Sequence, residues 1–351
     1  MSYGIELLNS IRPNASGEYA ARVPVATRNN IASIGRVLDS YNVVYNEFIE
    51  SLMHRIGFTI VQTALFTNKL AKFKSGRILT GQDVEDIFVN AFRAAEGAYD
   101  KEGGVGENGV HPFKRRDYQD AITKFYRMNR RDKYTITIYK DDVIRAFNSE
   151  TALEQFITAQ FNSLYTSAEY DEWEHMKQML SEAINAGDFK TYVVPVIGGA
   201  DATDSKNQSA CKAFVRSVKK AIADVSYPST LYNPAGVKTK CEKGSLVLFI
   251  NKDIPAHLEV DLYAQIFGPA YTQLGVEIVE VDNFGADESG TYALLVDKSW
   301  FKVFDVKNEM TQLFNPDGLY TNFWLHIWQI LAYSKFATAV RFGTADVVKG
   351  A

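Results

Sequence analysis

Residues 149–187, SETALEQFITAQFNSLYTSAEYDEWEHMKQMLSEAINAG, sustain a helical period over a length that few globular domains accommodate. Leu153, Phe156, Ile157, Gln160, Phe161, Leu164 and Tyr165 make one stripe, and Trp173, Met176, Met179, Leu180 and Ile184 continue it. Ser149 before Glu150 marks a cap region, and Gly187 is a natural stop. At about 1.5 Å per residue such a helix runs to roughly 50 Å.

The text on either side is of other kinds. The first 26 residues read as an arm, because Arg12-Pro13-Asn14 and Ser16-Gly17 are turn signals and no apolar period is sustained. Two helical stretches follow, with Ile31, Ile34, Val37 and Leu38 on one face and Val44, Phe48, Leu52 and Ile56 on another, closed by Gly57. FTIVQTALFT (58–67) is β-branched and aromatic, and predicts a strand. Residues 68–145 read as a long two-stranded excursion with the Gly-rich tip EGAYDKEGGVGENGVHP. An isolated ribbon is marginal in water, and little in the local sequence offers it a partner within the chain. After the long helix, a strand YVVPVI leads to the loop GGADATDSKNQSA, and residues 199–299 alternate helix and strand as a compact α/β domain. The last 50 residues return to extended, aromatic text.

Within that text, Gly318–Phe342 holds two of the four tryptophans, and Leu319 to Tyr333 contains no Lys, Arg, Asp or Glu. A membrane span needs about 20 mostly apolar residues, whereas this run is broken by Asn322, His326, Gln329 and Ser334. MSYGIELLNSIRPN lacks a basic start and a long apolar core, so no signal peptide is expected. Strand and helix are both open for 319–333 from periodicity alone, the helix placing Trp324, Trp328 and Leu331 on one face. Either way Trp324 and Trp328 are expected to be buried against the long helix or a neighbouring subunit, and Trp173 and Trp300 to be buried as well.

No catalytic, cofactor-binding or metal-ligating set emerges. Gly104-Val105-Gly106-Glu107-Asn108-Gly109 matches G-x-G-x-x-G, but His111-Pro112 follows where a helix must open, so it reads as a flexible tip. Glu172 and His175 have E-x-x-H spacing in a single copy, where a di-metal bundle needs two; they read as a helix-face ion pair. His54, His111, His175, His257 and His326 are scattered without ligand spacing. Cys211 and Cys241 give neither a disulfide framework nor a zinc pattern, and fit a reducing compartment.

Charge says more. The net charge of −4 excludes a generally basic nucleic-acid binder. Yet residues 112–133 hold eight Lys/Arg against three Asp, and 150–188 hold eight Asp/Glu against Lys177 alone. Both can be solvated faces, and the basic run can contact phosphates. A third reading lays the ribbon of one copy across the helix of the next, with Lys114, Arg115, Arg116, Arg127, Arg130 and Arg131 facing Glu169, Asp171, Glu172 and Glu174. That reading predicts self-assembly.

The order of arm, long two-stranded loop, spine-length helix, inserted α/β domain and closing aromatic strands resembles the Hong Kong 97-type fold of tailed-phage major capsid proteins. Closer still, YAARVPVATRNNIASIG (19–35), NEFIESLMHRIG (46–57), KFKSG (72–76), LYTSAEYDEWEHMK (164–177), ALLVDKSWFKVFD (293–305) and NPDGLYTNFWLHIWQ (315–329) resemble the small phi 29-like podoviruses' major capsid proteins, in the same order along the chain. The resemblance implies an α+β fold with an N-terminal arm and helices (1–57), an extended E-loop (58–145), a peripheral (P) domain with its spine helix (146–198), an axial (A) domain (199–299) and closing P-domain strands (300–351). It implies a structural protein, not an enzyme and without cofactors, forming pentamers and hexamers in a shell around double-stranded DNA. The implied partners are further copies, a scaffolding protein, a portal protein and the encapsidated DNA, with no membrane. Localisation would be the virion, after assembly in the bacterial host cytoplasm. Some relatives append an immunoglobulin-like domain; the stop at Ala351 leaves only the shell-forming core as the expectation. No Lys–Asn cross-linking pair is assigned. The alternatives are an encapsulin-like protein nanocompartment and a nucleic-acid-binding protein that uses 112–133.

Overall fold

The computed structural model describes residues 3–59, 68–89, 121–147, 150–198, 204–262, 275–285 and 290–345. The chain divides into two compact units, each stitched from three segments. One comprises Met1–Gly81, Met128–Met179 and Val303–Leu331; the other comprises Gln82–Arg127, Leu180–Lys302 and Ala332–Ala351.

In the first unit the N-terminal text is not an arm without period. It forms α1 (Tyr3–Ile11) and α2 (Gly17–Arg22), followed by α3 (Ile31–Ser40) and α4 (Asn42–Thr59). Ile5, Leu8 and Ile11 recur every three residues and are buried with Tyr19 and Val23, a stripe too short to stand out beside the turn signals. Polar side chains fix the fold-back: the Asn9 amide donates to Ala26 O at 3.1 Å and accepts from Ala26 N at 2.7 Å, and Arg12 donates to Ala20 O and Val23 O. Val44, Phe48 and Leu52 are buried along α4 as their spacing predicts. However, α4 runs past Gly57 to Thr59, so the strand expected from residue 58 is helix at its start, and 60–67 lie outside the described residues. In α3, a Cβ on Gly35 would stand 2.7 Å from Phe147 Cβ, so the close approach of α5 (Lys140–Ala146) requires glycine there.

A four-stranded sheet in the order β1-β9-β10-β4 completes this unit, from β1 (Gly76–Arg77), β4 (Arg130–Tyr139), β9 (Phe301–Asn315) and β10 (Tyr320–Tyr333). The segment left open between strand and helix is therefore a strand. It pairs antiparallel with β4 from Tyr320↔Tyr139 to Gln329↔Arg130. The two-residue period puts Phe323, Leu325 and Ile327 into the core with Ile138, and Asn322, Trp324, His326 and Trp328 on the opposite face. Leu164 and Ala168 of α6 (Glu150–Asn185) join the same core. At 36 residues α6 is about 54 Å long. It ends where the sequence places the stop: Gly187 has φ 66°, with Gly187 N donating to Ile184 O and Asp188 N to Ala183 O, the bond pair of a Schellman cap.

The second unit is built on a five-stranded sheet in the order β5-β11-β8-β6-β7. Its strands are β5 (Lys190–Val193), β6 (Leu246–Asn251), β7 (Glu277–Val281), β8 (Thr291–Asp297) and β11 (Ala339–Gly343). YVVPVI contributes strand only to Val193, before Pro195. Leu246 to Ile250 and Thr291 to Val296 are buried without alternation, as central strands covered on both faces are. Cys211, Phe214 and Val218 of α7 (Asp204–Val225) and Ile254 and Leu258 of α8 (Asp253–Leu262) pack against Leu248, Ile250, Leu295 and Phe342.

The legs of the two-stranded excursion, β2 (Val84–Val89) and β3 (Ala121–Tyr126), pair antiparallel from Val84↔Tyr126 to Val89↔Ala121. Contrary to expectation, the ribbon's base has a partner within its own unit. Asp86 accepts from Ser334 at 2.6 Å, Lys302 approaches Asp86 at 3.8 Å, and Phe88 meets Phe336. The partner is about 250 residues away in sequence, beyond the reach of local reasoning. The glycine tip 104–109 lies outside the described residues.

Candidate functional site

Along α6 the buried residues Leu164, Ala168 and Met176 follow a four-residue spacing with one position missing, and the residue filling it is Glu172. A carboxylate on that face must be satisfied by partners, because an isolated buried charge is far costlier than a paired one. Three elements supply them. Lys74, just after the short turn 71–73, lies 2.7 Å from Glu172 Oε2, and Asn68 donates to Oε1 at 2.9 Å. Gln329 of β10 donates to Oε2 at 2.6 Å.

Gln329 is the hinge of a larger network. Its amide also donates to Asp305 at 2.6 Å, and its carbonyl oxygen accepts from Arg130 at 2.6 Å. A neutral amide is the group that can donate to two carboxylates while accepting from a guanidinium. Arg130 in turn donates to Asp132 and to the Tyr134 hydroxyl, which donates to Asp171 at 2.6 Å. Lys74 also pairs with Asp305 at 3.3 Å. Burial alone would lower the Lys74 pKa, but Glu172 and Asp305 outweigh it, and the ammonium is held above its ordinary value. Burial and the bond to Asp171 likewise raise the Tyr134 hydroxyl. A cleft of about 80 Å³ opens beside the network, lined by Lys74, Glu169, Glu172, Asp305, Lys307 and Gln329. Among the described residues no group of His, Cys, Asp and Glu is arranged to hold a metal. What the arrangement does is fix five stretches of one chain, at 68–74, 130–134, 171–172, 305 and 329, in register.

The sequence-predicted residues distribute as follows. Arg130 and Glu172, expected to face a neighbouring copy, are instead buried and bonded within their own unit, so the meeting of basic run and acidic helix occurs in part inside one chain. Glu169 is half-buried and accepts from Asn68 N. Asp171 and Glu174 are exposed, the latter 2.9 Å from Lys177. Arg127 is exposed and paired with Asp83 at 3.1 Å. Lys114, Arg115 and Arg116 lie outside the described residues. The helix-face pair of Glu172 and His175 does not form, since Glu172 turns inward while His175 lies 3.7 Å from Asp132. Lys74, Asn68, Asp305 and Gln329 were not anticipated. The available signal was the four-residue spacing that puts Glu172 on the apolar stripe.

Of the tryptophans, Trp300 is buried as expected, stacked on Tyr333 at 4.9 Å. Trp173, Trp324 and Trp328 are half-buried. For the last two the reason is strand alternation: they share the sheet face opposite the core. There Trp328 has Arg131 5.3 Å and Lys307 5.1 Å from its ring centroid. Lys133 stands across from His326, which bonds Thr311 at 3.0 Å. Both cysteines are free and buried; burial, then the bond to Asp297, pushes the Cys241 thiol up to about 12, away from nucleophilic use.

A family model described as Phi29-like phage major capsid protein matches residues 8–343. The major capsid protein of Bacillus phage B103 is 34% identical over 98% of this chain and 73% of that protein. That of Bacillus phage PZA is 32% identical over 97% of this chain and 73% of that protein. Among solved structures, the capsid of Staphylococcus phage Andhra superposes with a TM-score of 0.59 at 12% identity, over 80% of this chain and 85% of that one.

Proposed function

This chain belongs to the Phi29-like phage major capsid protein family, structural proteins of the virion shell, and from that membership we propose that copies close as pentamers and hexamers into a shell around double-stranded DNA. Its α+β fold is that of the Hong Kong 97-type phage capsid proteins. The observation that carries the proposal is the family match, which runs through 8–343 and so takes in both sheets and the long helix. In this reading 1–57 is the N-terminal arm with its helices and 58–145 the E-loop. Residues 146–198 and 300–351 are the P domain, and 199–299 the A domain. A scaffolding protein guides assembly in the bacterial host cytoplasm, a portal occupies one vertex, and no catalytic role is involved.

With Arg130 and Glu172 committed internally, the contact between copies sets the exposed Arg127, with Lys114, Arg115 and Arg116 of the same basic run, against the exposed Asp171 and Glu174. Each exposed pair contributes about 0–1 kcal/mol, so only repetition over a closed lattice makes the set decisive. Light scattering and negative-stain microscopy on the purified chain, with and without the candidate scaffolding protein, test both levels. Capsomers or shells are expected, and a discrete monomer or dimer that never assembles overturns the shell. Arg127→Glu is expected to block closure with an unchanged circular dichroism spectrum; normal shells from that variant overturn the contact alone.

A further inference from the structure

The face of the four-stranded sheet opposite the core carries positive charge that the described residues answer only at Lys307. Arg131 and Lys133 are exposed on alternate positions of β4 and form no ion pair among the described residues. Lys307 of β9 meets Glu309 at 2.6 Å but also turns to the Trp328 ring that Arg131 covers. Two cations within about 6 Å of one indole are each attracted to it, yet they repel one another. An arrangement that gathers like charges on a protein of net charge −4 is suited to an anion bridging them. The remaining exposed positions of β4 on this face are Thr135, Thr137 and Tyr139, hydroxyls of the kind that bond phosphate oxygens.

We propose that this face, with Arg131, Lys133 and Lys307 around Trp324, His326 and Trp328, binds the sugar–phosphate backbone of double-stranded DNA. The proposal rests on the reading of the chain as a shell protein around a genome and names the surface that meets it. The contact is independent of base sequence, because a flat four-stranded face does not enter the major groove as a helix or two-stranded ribbon does. A protein partner is the weaker fit. Interface centres are depleted in lysine, whereas two lysines stand here, and the Trp328 ring is already covered by cations.

The test follows tryptophan fluorescence of the unassembled full-length chain during titration with short random-sequence duplexes. Three phosphate contacts at a slope of about −0.9 each make binding about fortyfold weaker at about 200 mM salt than at about 50 mM. Two unrelated duplexes are expected to bind alike. The variant Arg131→Gln/Lys133→Gln retains about one contact, and its affinity falls only about threefold to fourfold over the same range. Light scattering on the same samples reads assembly separately, and the variant is expected to form shells as the unmodified chain does. Duplex binding that is absent, or unchanged in the variant, overturns the proposal. So does a variant of unchanged circular dichroism that no longer assembles, which assigns the face to contacts between copies. If the unmodified chain binds duplex as expected yet never assembles, the surface stands and the shell reading falls.

Discussion

A single carboxylate decides how the first unit is organised. Glu172 stands on an apolar stripe, and its carboxylate is satisfied there because Lys74, Asn68 and Gln329 converge on it. Removing one partner of such a pair leaves a buried charge and costs about 3–5 kcal/mol, whereas replacing both with apolar groups is often neutral. Lys74→Met and Glu172→Leu are each expected to lose stability of that order in urea denaturation of the unassembled chain, and the double variant to recover most of it. Strict additivity of the two losses would show that the contact carries no such weight. The sequence told the class of this residue but not its role: it is one acidic letter among seven on the helix, and its partners lie on average more than a hundred positions away. For Cys241 the causes that hold the thiol protonated, burial and the bond to Asp297, are tertiary and were not legible.

Elements were legible in proportion to how local their causes are. The long helix and its end were readable because period and stop lie within α6 and the residues beside it, while the cap expected at Ser149 lies outside the described residues. At Gly187 the left-handed φ of 66° costs a residue with a Cβ about 1–2 kcal/mol. Gly187→Ala is therefore expected to lower the urea midpoint by that energy divided by the m-value, with the m-value unchanged; an unshifted midpoint would mean that the cap relaxes freely. β10 was undecidable from its own letters, since Trp324, Trp328 and Leu331 satisfy a helical face as well as a strand. Its state is settled by the ten-residue register with β4, which is tertiary information. The faces of Trp324 and Trp328 were unreadable for the same reason: without the partner strand, the face each side chain takes is unknown.

At the scale of the molecule, several protons are held more tightly in the folded chain than in the unfolded one. Burial raises the hydroxyls of Tyr45 and Tyr126 from 10.0 to about 12, and burial and Asp297 raise Cys241 from 9.0 to about 12. Lys74 is also held above its ordinary 10.5. For every one of these the unfolded chain loses its proton first, so the associated stability is intact below pH 9 and declines as pH rises toward 12. Urea midpoints of the unassembled chain are expected to fall steadily across pH 9–12, and a flat profile there would contradict the burial of these groups.

The units' construction from alternating segments also sets a timetable. Arg130 and Gln329, bonded in the finished molecule, are 199 residues apart. At about 5–20 residues per second, a ribosome needs about 10–40 s to deliver the second after the first. Throughout that interval β4 has no neighbour along the edge it will share with β10, and Glu172 emerges without Gln329. The first unit thus cannot be completed during translation of its first two segments. Nascent copies on the same messenger present open strand edges to one another, so finishing the chain, rather than starting it, is the step that commits a copy to its fold.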